Sequence, residues 1–360
     1  MTVNVAIVGC GRISKNHISA LTANFPRAII KALCDIDESR LVSSIKLISE
    51  SLSEETAFDN DICKYTDYEA MINDISQESI TIDLIVITSP SGLHPTQVIA
   101  AANAGVNVCT EKPMATRWAD GLAMVKACDF AKVKLFVVKQ NRYNPTISLL
   151  KSQITKGRFG RIYMVTANVF WQRPQAYYDQ ADWRGTWEFD GGALMNQASH
   201  YVDLLEWLVG PVESVNALTS TLGRNIEVED TAAINLKWRC GALGTMAVTM
   251  LTYPENMEGS ITILGEFGSV RIGGKAANKI EYWKFSTSSS DDELVRSSNY
   301  EISSVYGNGH QAYYENMLDA LEGASTPICD GREGLKSLEL LVGMYQSSRN
   351  GERIALPLEL

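Results

Sequence analysis

A chain of 360 residues, 45% hydrophobic and 21% charged, is long enough for two globular domains and too long for one compact core. A formal net charge of −10 argues against a duplex nucleic-acid surface and leaves room for a local basic groove around a small phosphorylated ligand. No apolar run reaches the ~18 residues of a membrane span, and the chain opens on a strand rather than a signal segment. The seven cysteines form no C-x-x-C pair and read as small reduced hydrophobes, so we expect a cytoplasmic protein with no disulfide framework, no metal site and no nucleic-acid or membrane partner.

Residues 3–8, dominated by Val3, Val5, Ala6, Ile7 and Val8, form a short apolar stretch that runs into Gly9-Cys10-Gly11-Arg12-Ile13-Ser14 and an apolar-periodic segment over residues 13–21. This order reads as strand, glycine turn, helix. Gly9 permits the tight turn, Gly11 lets the backbone approach a pyrophosphate, and Ser14, where glycine or alanine is usual, is still small enough for helix and strand to pack closely. Phosphates would then sit on the helix amino terminus, where free N–H groups and the dipole favour an anion. The motif is weak alone and gains force from its strand-turn-helix-strand context. A second strand over residues 28–34 ends in Asp35, whose carboxylate can accept hydrogen bonds from adenosine ribose hydroxyls and would repel a 2′-phosphate, which points to NAD rather than NADP. The alternative is that Asp35 or Asp37 only caps the helix starting near Glu38, and the two roles can be split between them.

Residues 49–67, carrying Glu50, Glu54, Glu55, Asp59 and Asp61, read as an extended polar connection. Beyond it, residues 82–87, 106–109 and 135–138 read as buried strands and residues 98–104 and 118–131 as helices. This alternation predicts a parallel doubly wound Rossmann sheet, a dinucleotide-binding domain over residues 1–141. From there the period changes to two. Residues 161–171 alternate, Ile234, Leu236 and Trp238 share a face, and residues 241–252 and 260–272 continue in long strands. The expectation is an α+β domain over residues 142–360, built on a large, open, mostly antiparallel sheet, with residues 286–292 as a solvated hairpin or loop.

Chemistry concentrates in a few residues. Glu111-Lys112-Pro113 follows a strand of the first domain, and its distance from the glycine turn reads as a lysine beside a nicotinamide. A lysine snorkelling from a strand end would not account for the turn Pro113 imposes. Of four histidines, His200 stands out. It follows Gly191-Gly192 and opens an amphipathic helix through Val202, Leu205 and Leu208. Asn196 at i−4 and Asp203 at i+3 share its side of the helix if that helix extends back to Asn196, so His200 could be held in one tautomer with its other nitrogen facing a substrate hydroxyl. A histidine merely packed at a helix start is the competing reading. Lys112 is either the base or the donor to a forming alkoxide, with His200 complementary, and the order is open. His94 reads as packing or capping the helix after Pro95, His17 as bracing the helix after the glycine turn, and His310 has no assigned role.

Gly9-x-Gly11 with His17, Thr88-Ser89-Pro90 with His94, Glu111-Lys112-Pro113, the glycine pair leading to His200 and Asp203, the 314–321 segment and Gly351-Glu352-Arg353 together resemble the glucose-fructose oxidoreductase/inositol dehydrogenase (Gfo/Idh/MocA) family over the whole chain. The resemblance implies that Lys112 and His200 serve the active site, usually with an aspartate where this chain has Asn196, a departure that shifts the acid/base burden towards Lys112 and His200. It also implies NAD held by Gly9, Gly11, Arg12, Ile13, Asp35, Ser89, Pro90, His94, Glu111, Lys112 and Gln140.

Within the family, the segments 139–145, 183–188, 195–200 and 223–230 are similar to those of UDP-N-acetylglucosaminuronic acid 3-dehydrogenases of bacterial surface-polysaccharide (O-antigen) synthesis. This likeness implies oxidation of a carbon-3 hydroxyl to a 3-keto UDP-sugar, with 2-oxoglutarate a candidate acceptor for recycling the cofactor. Such a substrate carries a diphosphate and a carboxylate, so Arg142 and Arg184 are candidate ligands, with Arg173 and Arg224 behind them, although each arginine could equally serve a surface ion pair. Tyr143, Asn144 and Tyr313 are candidates to read sugar hydroxyls, alongside Lys112, Asn196 and His200. Another sugar or inositol as substrate, an NAD-dependent glycosidase and a non-catalytic dinucleotide sensor are the alternatives. Apolar strand faces in the second domain point to a homodimer or homotetramer.

Overall fold

The computed structural model describes residues 2–52, 62–302 and 307–358. The chain divides into two compact units, Met1–Val138 with His310–Leu335, and Lys139–Gly309 with Lys336–Leu360.

The first unit alternates β1 (Val3–Val8), α1 (Ser14–Thr22), β2 (Ala28–Cys34), α2 (Glu38–Ser51), β3 (Cys63–Tyr65), α3 (Tyr68–Ser76), β4 (Leu84–Ile87), α4 (His94–Asn103), β5 (Asn107–Thr110), α5 (Trp118–Ala131) and β6 (Leu135–Val137). Among the described residues the strands form one parallel sheet in the order β3-β2-β1-β4-β5-β6. All four residues of β4 are completely buried, and such two-sided burial is why the central strands read as near-continuous apolar runs. The strand order reverses between β1 and β4. Val8 pairs with Ile87 and Ile87 with Thr110, so the loops leaving β1, β4 and β5 open beside one another at the carboxyl edge, where doubly wound sheets bind their ligands.

Two features of this unit depart from the sequence expectation. The region 49–67 is not wholly an extended connection: α2 continues to Ser51 and Cys63–Tyr65 adds a parallel edge strand against Ala32–Cys34. Three residues with an exposed cysteine and lysine give no periodic signal, which is why the strand was illegible. Residues 53–61, with Glu54, Glu55, Asp59 and Asp61, lie outside the described residues. The second departure concerns the expected division at 141/142. The chain leaves the first unit after Val138 and returns to it over His310–Leu335, whose helix His310–Leu321 buries Tyr313, Tyr314, Met317 and Leu318 there. Arg27 holds this helix through Asp319 at 2.7 Å and Glu322 at 3.1 Å. An amphipathic helix can dock on either unit, so its pattern alone carries no address.

The second unit contains α6 (Pro145–Thr155), β7 (Ile162–Phe170), the short α7 (Gln175–Tyr178), a π-helical turn (Ala193–Gln197), α8 (Ser199–Val209), β8 (Val212–Ser220), β9 (Thr231–Trp238), β10 (Leu243–Thr249), β11 (Glu258–Gly265), β12 (Gly268–Gly273), β13 (Lys279–Phe285), α9 (Val295–Ser298) and β14 (Ile354–Ala355). The helix Gly331–Asn350 starts in the first unit and supplies its later turns to the second. The sheet runs β13-β12-β11-β7-β10-β9-β8-β14, antiparallel except for β7 with β10. The expected long strand over 260–272 is two strands joined by a turn at Glu266 and Phe267. Residues 286–292 are also more than a solvated loop: Asp292 takes Arg158 at 2.8 Å and the Trp283 indole N–H at 2.8 Å.

In β9, Ala232, Ile234, Leu236 and Trp238 face the core and the residues between them do not. Trp238 is completely buried and occupies the space where a side chain on Gly244 would lie, at 2.6 Å from its Cβ position. We therefore expect Trp238→Ala to destabilise the second unit by about 3–5 kcal/mol. Denaturant unfolding followed by circular dichroism should show the lowered midpoint, and an unchanged midpoint would contradict this packing.

Candidate active site

In the first unit, Gly9 has φ +88°, and a Cβ there would stand 2.7 Å from the Ser89 backbone nitrogen, so the turn and the loop after β4 can touch only through a glycine. Gly11 differs: no described atom lies within 4 Å of a Cβ built on it. The Ser14 hydroxyl donates to the Gly11 carbonyl at 2.7 Å, so the third motif residue closes the turn with a side chain. Among the described residues no side chain caps the start of α1, the end at which a helix leaves N–H groups without partners of its own. A dinucleotide pyrophosphate fits this cradle. Arg12 is exposed and Ile13 half-buried at its rim.

Of the roles that the sequence left open, the cap falls to Asp37 and not to Asp35. Asp37 caps α2, accepting the Ser39 backbone N–H at 3.0 Å. Asp35 is buried at the end of β2 and accepts from the Cys10 N–H at 2.7 Å and the Asp37 N–H at 2.9 Å. Its carboxylate is thus fixed beside the glycine turn, where a ribose carboxylate has to be.

Lys112 is half-buried in the loop leaving β5. Beneath it lies a buried chain of hydrogen bonds. His17 Nε2 meets Glu111 Oε1 at 3.0 Å, His17 Nδ1 meets the Tyr314 hydroxyl at 2.6 Å, and Glu111 Oε2 accepts the Lys112 backbone N–H at 2.9 Å. Burial works to raise the Glu111 carboxyl, but His17 and the Lys112 charge outweigh it and hold the group well below the usual carboxylate range. His310 stacks edge-on to His17 at 5.5 Å, and burial together with His17 pushes it down to about 3, a neutral ring. His94 is buried between the carbonyls of Pro113 at 2.9 Å and Ser89 at 3.0 Å, so it ties the lysine loop to the half-buried Ser89-Pro90 loop.

In the second unit, His200 is buried at the start of α8, and its Nε2 lies 3.3 Å from the Gln140 side-chain nitrogen. With that amide donating, Nε2 is an acceptor and the ring proton sits on Nδ1. Asp203, one turn on, accepts a fork of two 2.8 Å bonds from Arg142 and lies 3.4 Å from Lys139 Nζ. Burial alone would raise this carboxyl; Arg142 and Lys139 bring it down to about 2. The Arg142 guanidinium, a candidate for the substrate anion, is therefore committed to Asp203 and lies 5.3 Å from the Trp207 ring.

Asn196 sits in the π-helical turn, not in α8, because the regular helix starts only at Ser199. Its amide donates to Asp190, whose other oxygen takes the Gly185 N–H at 2.7 Å. A buried carboxylate therefore stands beside Asn196, supplied from six residues upstream. Arg184 lies over Tyr177 and Trp183, at 4.5 and 4.6 Å from their ring centres, and its Nε has no hydrogen-bond partner among the described residues. Arg173 lies 5.6 Å from the Tyr177 ring and donates to Gln197 at 2.9 Å, while Arg224 donates to the Arg173 carbonyl at 2.6 Å.

Tyr143 is half-buried, and the Asn144 side chain accepts from the Asn308 backbone at 3.3 Å. Tyr313 is the clearest correction: it is 2% exposed in the core of the first unit, with its hydroxyl 3.4 Å from Cys109 Sγ, a placement for packing and not for reading a sugar. Asp190, Tyr177 and Gln197 were missed. Asp190 precedes the glycine pair that led to His200, the one signal that could have exposed it.

Asp203 contributes stability that is fully present above about pH 4 and lost as pH falls through 2. Asp203→Asn removes about 2 kcal/mol of that acid-labile stability and strands two buried cations, so we expect a loss of about 3–5 kcal/mol at pH 7. Thermal melts from pH 7 to pH 3 should show the gap to wild type narrowing below pH 4; a constant gap would remove the ion pair from the account.

Two family models match the chain. The oxidoreductase family NAD-binding Rossmann fold covers residues 3–139, and the oxidoreductase family C-terminal alpha/beta domain covers residues 151–356. Among solved structures, the chain is similar to the WlbA dehydrogenase from Chromobacterium violaceum in complex with NADH and UDP-GlcNAcA, at 54% identity and a TM-score of 0.91 over 100% of this chain and 97% of that one. It is equally similar to the WlbA dehydrogenase from Bordetella pertussis, also in complex with NADH and UDP-GlcNAcA, at 54% identity and a TM-score of 0.91 over 99% of each chain. D-apiose dehydrogenase of Paraburkholderia graminis is 26% identical over 98% of this chain and 89% of its own. The chain belongs to the Gfo/Idh/MocA oxidoreductase family, whose two models match residues 3–139 and 151–356.

Proposed function

We propose that this protein is an NAD-dependent dehydrogenase that oxidises the carbon-3 hydroxyl of UDP-N-acetylglucosaminuronic acid to a 3-keto sugar, in the synthesis of bacterial surface polysaccharide. The observation that carries this reading is 54% identity, end to end, with two dehydrogenases crystallised with NADH and UDP-GlcNAcA. Bound NAD⁺ supplies the acceptor for the hydride leaving carbon 3. Gly9, Gly11, Arg12 and Ile13 would cradle its pyrophosphate and Asp35 its ribose, while Ser89, Pro90, His94, Glu111 and Gln140 line or brace the rest.

Lys112 and His200 divide the remaining work between taking the hydroxyl proton and stabilising the alkoxide. The buried Tyr314–His17–Glu111 chain fixes the Lys112 backbone, so the lysine is delivered from a rigid strand end. Asn196 cannot carry a proton between two sites; held by Asp190, it orients instead. Arg184, with an unpartnered buried Nε, is the arginine best placed to take a substrate anion. Arg142 serves by anchoring Asp203, and Tyr143 and Asn144 remain the candidates for sugar hydroxyls.

Recycling of bound cofactor by 2-oxoglutarate and assembly into a homodimer or homotetramer belong to the same reading. For the second of these, Leu243, Met164 and Leu264 form an apolar row across three paired strands, and Leu243 is 55% exposed in the single chain. Among the described residues no helix is long and apolar enough to cross a membrane; a cytoplasmic location is part of the proposal.

Absorbance at 340 nm with UDP-N-acetylglucosaminuronic acid and NAD⁺, and mass spectrometry of the sugar when 2-oxoglutarate is added, should show product formation. Lys112→Ala should lower turnover on the order of 10²–10⁴-fold while NAD is still bound. Protein that binds NAD but forms no product in either condition would end the substrate assignment and turn attention to other sugars, polyols and glycosides. Leu243→Lys should shift the species seen by light scattering towards smaller assemblies, and an unchanged mass would rule this face out as the contact.

A further inference from the structure

Glu229 and Asp230 are adjacent, both buried, and differently satisfied. Asp230 accepts the backbone N–H groups of Leu222, Gly223 and Arg224 at 2.9–3.0 Å and the Thr231 hydroxyl at 3.0 Å, so both of its oxygens have partners. Glu229 directs one oxygen, Oε1, to the Leu194 N–H and the Tyr345 hydroxyl, each at 2.8 Å; its Oε2 has no partner among the described residues. The same residue's backbone carbonyl takes the Ala193 N–H at 3.0 Å, and the Tyr345 oxygen takes the Met195 N–H at 3.2 Å.

Three successive amides at the start of the π-helical turn are therefore held by Glu229 and Tyr345. The first N–H groups of any helical turn lack partners within it and need outside acceptors. The fit is tight: a Cβ on Gly192 would lie 1.8 Å from Glu229 Oε2, so only glycine lets the turn seat against this carboxyl. The turn carries Asn196 and runs through Ala198 into α8 at Ser199 and His200.

We propose that Glu229 is a positioning residue that, with Tyr345, pins the Ala193–Met195 amides and so sets where Asn196 and His200 stand. This rests on the dehydrogenase reading for the roles of Asn196 and His200. The groups facing Glu229 are the Tyr345 hydroxyl from the long carboxy-terminal helix, the Leu194 N–H from the turn, and Asp230 on its own segment. Burial, reinforced by Asp230, pushes its carboxyl up to about 7. Below pH 7 Glu229 thus pins the turn mainly as the neutral acid, and ionisation above pH 7 adds a negative charge, partly offset by the Leu194 and Tyr345 hydrogen bonds, under the segment that carries the site.

The test combines hydrogen exchange of the peptide spanning residues 191–200 with kinetics from pH 6 to 8.5, on wild type, Glu229→Gln, Glu229→Ala and Tyr345→Phe. Glu229→Ala should lower protection of the Leu194 amide, and Tyr345→Phe that of the Met195 amide, each about tenfold, while the Ala193 amide, held by the Glu229 backbone carbonyl, keeps its acceptor; Glu229→Gln, which keeps the side-chain acceptor oxygen, should restore the Leu194 amide. In turnover, Glu229→Ala should lose kcat about 10–100-fold with KM moved far less. The ratio of Glu229→Gln to wild-type kcat should rise as pH passes 7, because the amide cannot ionise. Wild-type protection in both Glu229→Ala and Tyr345→Phe, or a ratio that is flat with pH, would overturn the proposal. If wild type shows no turnover on the UDP-sugar, the substrate reading has failed, and exchange alone decides the role of Glu229: lost protection in Glu229→Ala restored by Glu229→Gln supports it, and unchanged protection overturns it. Should Glu229→Ala not fold, Tyr345→Phe and Glu229→Gln carry the same comparison.

Discussion

Val8 and Ile87 stand in register on two parallel strands. Because β4 is buried on both faces and β1 on nearly all of its length, neither strand has a polar face to turn outward, and a one-residue slip would misplace every side chain of the layer. That register decides where the Gly9 turn, the Ser89 loop and the Glu111-Lys112 loop emerge. Their approach is close enough that the Gly9 position tolerates no Cβ, so the geometry of the cradle is set by the sheet rather than by the loops themselves. The polar residues of the first unit are additions to a constraint already imposed by apolar burial.

The buried charges of each unit are handled by local pairing. In the first, Glu111 is kept ionised by His17 and the neighbouring lysine; in the second, Asp203 is kept ionised by Arg142 and Lys139. Neither arrangement gains much against an apolar substitute of equal shape, since desolvation offsets most of the attraction. What each does is fix direction. Glu111 fixes the backbone of Lys112, and the fork from Arg142 fixes α8 one turn beyond His200. Rigid second-layer contacts of this kind are what hold reacting groups within the narrow tolerances that proton and hydride transfer require.

Period and punctuation made much of this legible beforehand. The alternation of Ile234, Leu236 and Trp238, the unbroken apolar run of β4 and the glycine turn each reported a local fact that the fold preserves. Lys112 stood out by the Glu-Lys-Pro segment after a strand, and His200 because the chain has only four histidines to choose from. What stayed hidden depends on distance along the chain. Asp190 meets Asn196 through a turn with no regular period, Tyr314 meets His17 across nearly the whole chain, and Tyr313 looked like a sugar reader because nothing local reveals that its helix packs into the first unit's core. Arg142 was recognisable as a functional cation, but its commitment to Asp203 needed the two segments brought together in space.

The return of His310–Leu335 to the first unit has a consequence for biosynthesis. As the chain emerges from the ribosome, residues 1–138 are made long before the helix that completes their core. Until that helix arrives, His17 lacks the tyrosine hydroxyl at its Nδ1, and the surface that Tyr313, Met317 and Leu318 will cover is open to water. Domains usually fold in order as they are synthesised. Here the first unit reaches its finished form only after residue 335 has been translated, so its core stays incomplete while the whole of 139–309 is being made.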